Sequence, residues 1–344
     1  METLTIKSPA DLLSFIGHTL GFWPQESLVC LTLDTNHIGA TLRVDLPRHN
    51  GAERTYARTV ADYLSHDSSA TGVLFALYTS TPWEPGQDKP RAAIIAALTG
   101  ELAARGLPIR DGLLVGKDTF TRYDDSPENY ADIPLSTTQS SQINAEYVYR
   151  GSTIHPTGRI TLPAPTQEAS KANAVQQRME AIRHLPHHDA IDQARTLWSD
   201  MLNSKTYPSD DQTVSLIANL QFSGIRDQLM ADIPGIDEPI DQVLLAQTTA
   251  KPQWSRIEWA QQLLLHAYTQ TNNQHAAPVL TAIGYINWWE GRGSKAHQFL
   301  QLAIEADPNY RLARLSDQMI GQGMIAPWNT DRQTAYRPRG LEAS

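Results

Sequence analysis

Cysteine is nearly absent from this chain of 344 residues. Cys30 is the only one, so no disulfide can form within the chain and no cysteine framework can hold a structural metal. Its place in the apolar run 28–33 reads as that of a buried small hydrophobe. Long hydrophobic runs are missing too: stretches such as 92–98 fall far short of the ~20 apolar residues that a membrane-spanning helix needs, so no membrane segment is expected. Basic excess is lacking, with 13 Lys+Arg against 18 Asp+Glu up to residue 165 and 15 against 19 beyond it. A phosphate backbone would meet general repulsion from both halves, which argues against nucleic acid as a ligand. The first ten residues hold Glu2 and one Lys7 instead of a basic stretch followed by an apolar one; no signal peptide is read, and the expected location is cytoplasmic.

Contiguous catalytic motifs are absent as well. There is no G-x-S-x-G elbow, H-E-x-x-H helix, EF-hand loop or G-x-G-x-x-G fingerprint, which leaves only sites assembled from distant residues. Gly112 and Gly116-Lys117 superficially fit a phosphate-binding loop. Three residues, not four, separate the glycines, and Asp118 stands where a hydroxyl should hold magnesium, so the segment reads as a hairpin turn. His184, His187, His188 and Asp189 cluster in sequence but span a helix break at Pro186, so they read as solvated polar residues and no metal site is expected. His18 reads as a partner for the C-terminal dipole of the first helix.

The first half alternates helical and strand signals. Ser8 caps a helix that carries Pro9 at its first position, has Asp11 three residues after the cap, and ends at Gly21. Strands are expected at 27–33 and 38–46, joined by a turn at 34–37, then at 71–78, 113–115 and 119–123. Helices are expected at 52–64 and up to Ala104. The polar, acidic stretch 124–138 reads as a surface loop and 141–149 as a short helix. Beyond residue 166 strand signals vanish, and helical patterns run at 167–185, 188–203, 209–221, 224–232, 238–248, 253–270, 277–290, 294–306 and 309–321. The fold class is therefore an α/β N-terminal half, a mixed sheet with flanking helices, followed by an all-α C-terminal half. The domains are read as 1–165 and 166–326, joined near 163–166, with a flexible tail at 327–344.

Residues 277–310 resemble the 34-residue helix–turn–helix unit of a tetratricopeptide repeat. Gly284 and Ala296 stand at the helix contact, Gly291 in the turn, Ala303 at the next close-packing position and Pro308 where the following helix begins. Shifting the template back by 34 residues puts Gln262, His266 and Thr269 at positions that want small or apolar residues, so a regular array is not expected.

Ser8-Pro9-Ala10-Asp11-Leu12-Leu13, Leu20-Gly21-Phe22 with Pro24, Glu26-Ser27-Leu28-Val29 and Asp111-Gly112-Leu113-Leu114-Val115 resemble an actinobacterial family known as domain of unknown function 4192; residues 284–318 resemble its C-terminal end. The resemblance implies a cytoplasmic bacterial protein with an α/β half and a helical half, and offers no activity to carry over. It also implies cysteines in the loop after the strand at 120–123, as many members have. That loop here, 124–129, has none, so a metal or redox role of such a loop does not extend to this chain.

Two functional readings follow. In the first, the protein is a non-catalytic interaction or regulatory module with a protein partner. Its contacts would come from Trp254, Trp259, Trp288 and Trp289, half of the eight tryptophans; consecutive Trp288 and Trp289 point about 100° apart on a helix, so the two are not expected to be wholly buried in the same core, and either one lines a groove or both cover neighbouring helices. In the second, the α/β half is an enzyme or small-molecule sensor, with Glu26, Arg43, Asp45 and Asp111 as ligand-binding candidates at strand ends. Neither reading names a catalytic residue or requires a cofactor.

Overall fold

A computed structural model describes the chain except residues 1–4, 36, 48–50, 85, 126–130, 157, 159, 164–168, 322–323, 330–332 and 337–344. It divides into two compact units, Met1–Gly158 and Arg159–Arg337. The expected junction at 163–166 and the segment 126–129 lie largely outside the described residues.

In the first unit, α1 (Pro9–Leu20) begins with the expected reciprocal cap. The Asp11 amide donates to the Ser8 hydroxyl and the Ser8 amide donates to the Asp11 carboxylate, both at 3.1 Å. Strands β1 (Ser27–Asp34) and β2 (His37–Asp45) form the expected hairpin, followed by α2 (Glu53–Leu64), β3 (Gly72–Tyr78), α3 (Ala92–Ala104) and β4 (Ile109–Val115). Then come β5 (Thr119–Arg122), β6 (Ile133–Pro134), a 3-10 segment (Leu135–Ser140) and α4 (Gln142–Tyr149). The sheet order is β2-β1-β3-β4-β5-β6, parallel only between β3 and β4, where α3 makes the crossover.

Both faces of this sheet are covered, which is why Leu28–Leu31 of β1 are apolar without alternation. Leu28 and Cys30 face Ala57 and Val60 of α2 and Leu98 and Leu102 of α3, whereas Val29 and Leu31 face Leu12, Leu13 and Ile16 of α1. Burial pushes the Cys30 thiol up to about 12, so it stays a protonated, unreactive part of the core. The segment read as a loop over 124–138 is partly built into the sheet: Ile133 pairs with Phe120 as β6, and Pro134 sits on the edge strand, where a missing N–H breaks no ladder.

The second unit is helical: α5 (Ala169–Arg183), α6 (His187–Ser204), α7 (Asp210–Leu220), α8 (Ser223–Asp232), α9 (Ile240–Leu244), α10 (Trp254–Gln270), α11 (Asn273–Trp289), α12 (Gly293–Ala306) and α13 (Arg311–Gly321). Helix α11 starts earlier than expected because the Asn272 side chain caps it, accepting from the His275 amide, and Pro278 is carried inside the helix. No helix of the described chain is long and apolar enough to cross a membrane.

Residues 275–289 of α11 are buried all round, making it the central helix of this unit. Gly284 lies against α12: a Cβ there would stand 2.9 Å from Leu300 Cγ and 3.3 Å from the Ala296 carbonyl oxygen. Gly284→Leu is therefore expected to destabilise the protein by ~1–3 kcal/mol through overpacking. An unchanged urea midpoint would mean that the two helices separate freely.

The expected flexible tail from 327 needs correction. Pro327–Asn329 form a 3-10 turn, Trp328 is 2% exposed, and its indole N–H donates to Thr248 Oγ1 at 2.8 Å. Tyr336 donates to Glu258 Oε1 at 2.9 Å. Aromatic side chains dock this segment despite its prolines and arginines.

Candidate functional site

Pairing of Ser27 with both Asp45 and Tyr78 brings the entrance of β1, the exit of β2 and the exit of β3 to one end of the sheet. Glu26 stands there in a left-handed backbone conformation, φ 41°. Its carbonyl accepts from the Leu46 amide at 2.9 Å. Its carboxylate accepts from the Ser80 amide at 2.5 Å and from the hydroxyls of Ser80 at 2.7 Å and Thr79 at 3.4 Å. Burial pushes this carboxyl up, but the Ser80 and Thr79 donors and the nearby Arg91 charge outweigh it, leaving Glu26 below its ordinary range and ionised at neutral pH.

Arg43 and Asp45 share this end, paired at 2.5 Å. Arg43 is not the solvated residue its strand position suggests: its side chain is 15% exposed and its guanidinium lies 5.5 Å from the Phe22 ring centroid. Asp45 is exposed. Asp111 does not join them. It pairs in register with Leu74, well before the end of β4, and its carboxylate accepts from the Gly112 amide and lies 3.4 Å from Arg122.

The loop from β3 to α3 adds residues that the sequence reading did not single out. Arg91, in the position before α3, is left-handed at φ 59° and half-buried, and its charge acts on Glu26 and Tyr56. Among the described residues its guanidinium has no hydrogen-bond or ion-pair partner. The Tyr56 hydroxyl is buried without a partner among the described residues, and burial raises its pKa. Lys89 donates to the Asp125 carbonyl at 3.0 Å and lies 5.4 Å from the ring centroids of both Trp83 and Tyr123. Burial lowers its pKa against the pull of Asp124 and Asp125.

A second constellation escaped the sequence entirely. His18 is 5% exposed; its Nδ1 lies 2.9 Å from Ser152 Oγ and its Nε2 lies 3.0 Å from Asn144 Oδ1. The ring stacks on Tyr147 at 4.8 Å and 8°. Burial lowers its pKa, opposed by the Asn144 bond, so the expected role as a charged partner of the helix dipole gives way to a neutral, hydrogen-bonded imidazole. Separations of 126 and 134 residues leave no local pattern to detect.

The tryptophans are turned inward. Trp288 is 4% and Trp289 0% exposed, both in one core, because α11 is enclosed on every side and directions 100° apart both meet protein. Their indoles donate to the carbonyls of Met324 at 2.7 Å and Leu244 at 3.3 Å. Trp254 and Trp259 are half-buried and donate to the carbonyls of Thr334 at 2.9 Å and Met201 at 3.0 Å. The expected exposed tryptophan groove is not formed. Among the described residues no group of three or more His, Cys, Asp or Glu could hold a metal.

The sheet with its crossover, followed by the helical unit, runs through one continuous sequence pattern: the family described as Domain of unknown function (DUF4192) matches residues 9–326. The chain belongs to that family. No curated protein and no solved structure matches this DUF4192 chain.

Proposed function

We propose that this DUF4192 protein binds a small anionic molecule at the sheet end of its first unit, with Arg91 as the anchoring cation. The observation that carries this reading is the Arg91 guanidinium, held in a left-handed loop position with no hydrogen-bond or ion-pair partner among the described residues, beside a Glu26 carboxylate that accepts from Ser80 and Thr79. Neighbouring residues in left-handed conformations store strain that the surrounding contacts must hold, and such strain collects at functional sites. The loop also follows the carboxyl end of β3, which pairs parallel to β4, the place where open α/β sheets receive ligands. A guanidinium offers a planar fork suited to carboxylate or phosphate. The lone buried thiol of Cys30 fits a reducing, cytoplasmic setting.

Thermal shift of the full chain against a panel of carboxylate- and phosphate-bearing metabolites tests this. A ligand at ~100 times its Kd should stabilise the fold by about 2.7 kcal/mol. Arg91→Asn, which tolerates the left-handed backbone, should remove that shift while leaving the unliganded melting temperature close to wild type. Retention of the full shift in the variant would refute the assignment.

A protein-binding role for the helical unit is the second reading. Exposed Leu315, Met324 and Ile325 at its C-terminal end support it in place of the indoles, together with the tetratricopeptide-like contact of Gly284 with Leu300 and Ala296.

A further inference from the structure

We propose that Ser152 is an acyl-accepting nucleophile activated by His18, with Asn144 as the residue that positions the imidazole. The orientation of the amide decides the chemistry. Asn144 Nδ2 donates to the Gln139 carbonyl at 2.7 Å, which turns Oδ1 toward His18 Nε2. An amide oxygen only accepts, so Nε2 carries the hydrogen. A neutral imidazole in that tautomer has its lone pair on Nδ1, and Nδ1 faces Ser152 Oγ at 2.9 Å. Base and nucleophile are thus already in hydrogen-bond reach, and the base is oriented by a third group. The same nucleophile–imidazole–orienter relation serves acyl transfer on unrelated folds.

The surroundings suit this role. Stacking on Tyr147 fixes the ring plane, and burial keeps the imidazole unprotonated near neutral pH. The nearest charged side chains on α4 and its end, Glu146 and Arg150, are paired with each other at 2.7 Å, so neither holds a proton on His18. His18 lies in the last turn of α1, whose carbonyl end favours the imidazolium that forms as the serine proton is taken. Ser152 follows Gly151, left-handed at φ 83°, and is half-exposed. Val148 and Tyr149, 56% and 88% exposed, offer an apolar surface just before it.

The substrate class is an activated carboxylic ester. Ser152 Oγ bonds to the carbonyl carbon as its proton passes to His18 Nδ1. The bond from that carbon to the leaving oxygen breaks, and the departing alkoxide takes the proton from His18. Water then attacks the acyl-serine and gives a proton to Nδ1. The carboxylic acid departs as Ser152 Oγ recovers its hydrogen from His18.

The full chain incubated with a fluorophosphonate, and separately with p-nitrophenyl acetate, is read by intact mass and peptide mapping. The expected result is a single adduct at Ser152, absent in Ser152→Ala. Its formation rate should rise with pH through one titration whose midpoint lies below 6.5, the ordinary value for histidine. His18→Gln should lower the rate ~10²-fold or more. Asn144→Ala should shift the midpoint of the pH profile, which loss of packing alone would not do. The wild-type pH profile keeps the test decisive if the His18 variant fails to fold. No adduct at Ser152, or a rate that increases smoothly with hydroxide without a titration, would overturn the proposal.

Discussion

Trp289→Ala is expected to destabilise the protein by ~3–5 kcal/mol, the cost of emptying a large, fully enclosed aromatic site. The indole is 0% exposed, donates to the Leu244 carbonyl at 3.3 Å, and meets Tyr285 and Trp328 at ring-centroid distances of 5.6 Å each. Because Trp328 belongs to the segment after α13, the damage should reach beyond α11 and loosen the docking of residues 327–329. Urea unfolding followed by circular dichroism measures the loss, and hydrogen exchange at 324–329 reports the local release. A variant that unfolds at the wild-type midpoint would mean that the ring is not part of the core. The sequence places Trp289 among the candidate partner contacts; its burial makes lost stability the outcome to measure.

Glu290→Gln is expected to remove a pH-dependent penalty of about 3 kcal/mol. Glu290 ends α11, 6% exposed, and among the described residues neither carboxylate oxygen has a hydrogen-bond donor. Arg292 lies 3.0 Å away, close enough for an ion pair but without hydrogen-bond geometry. Burial pushes the carboxyl from 4.5 up to about 7; Arg292 and Lys295 oppose the shift, and Glu258 adds to it. Tyr336 closes the group, donating to Glu258 and accepting from Arg292 at 3.3 Å.

An acid whose pKa rises on folding holds its proton more tightly in the folded state. Its contribution is therefore complete below about 4.5 and is lost as pH rises through about 7. Burial lowers the pKa of His18 and His275, which act in the opposite sense over part of this range. The quantity to read is thus the stability of wild type minus that of the variant, from urea midpoints between pH 4.5 and 8. It should fall by about 3 kcal/mol across that interval. A difference independent of pH would show that Glu290 is solvated.

The boundaries of these elements have local causes. Ser8 with Asp11, and Gly21 at φ 76°, delimit α1 through bonds made within a few residues. Strand β1 is apolar at four consecutive positions, Leu28–Leu31, because α1 covers one face and α2 with α3 the other, which leaves its mark in the sequence on both faces. The break at Pro186 likewise separates α5 from α6. Strand β6 was missed because a two-residue strand with a proline has no periodicity to show.

The candidate sites were only partly legible. Glu26 was visible because it lies between a helix end and a strand start, where loops carry function. Its neighbours Ser80 and Arg91 come from a loop more than 50 residues away, and only the pairing of β1 with β3 joins them. Asp111 carried the same sequence signal as Glu26, yet register sets it away from that end of the sheet.

By itself the sequence determined the chain's partition into a mixed α/β part and a helical part, most element boundaries, and the harmless state of Cys30. These follow from composition, periodicity and caps, which act over a few residues. Tertiary structure alone decided that Trp288 and Trp289 are both enclosed, that residues 327–329 dock, that Glu290 is buried, and that His18, Asn144 and Ser152 meet. Burial and hydrogen bonding at those positions depend on groups tens to more than a hundred residues away, and no local pattern records which distant group will arrive.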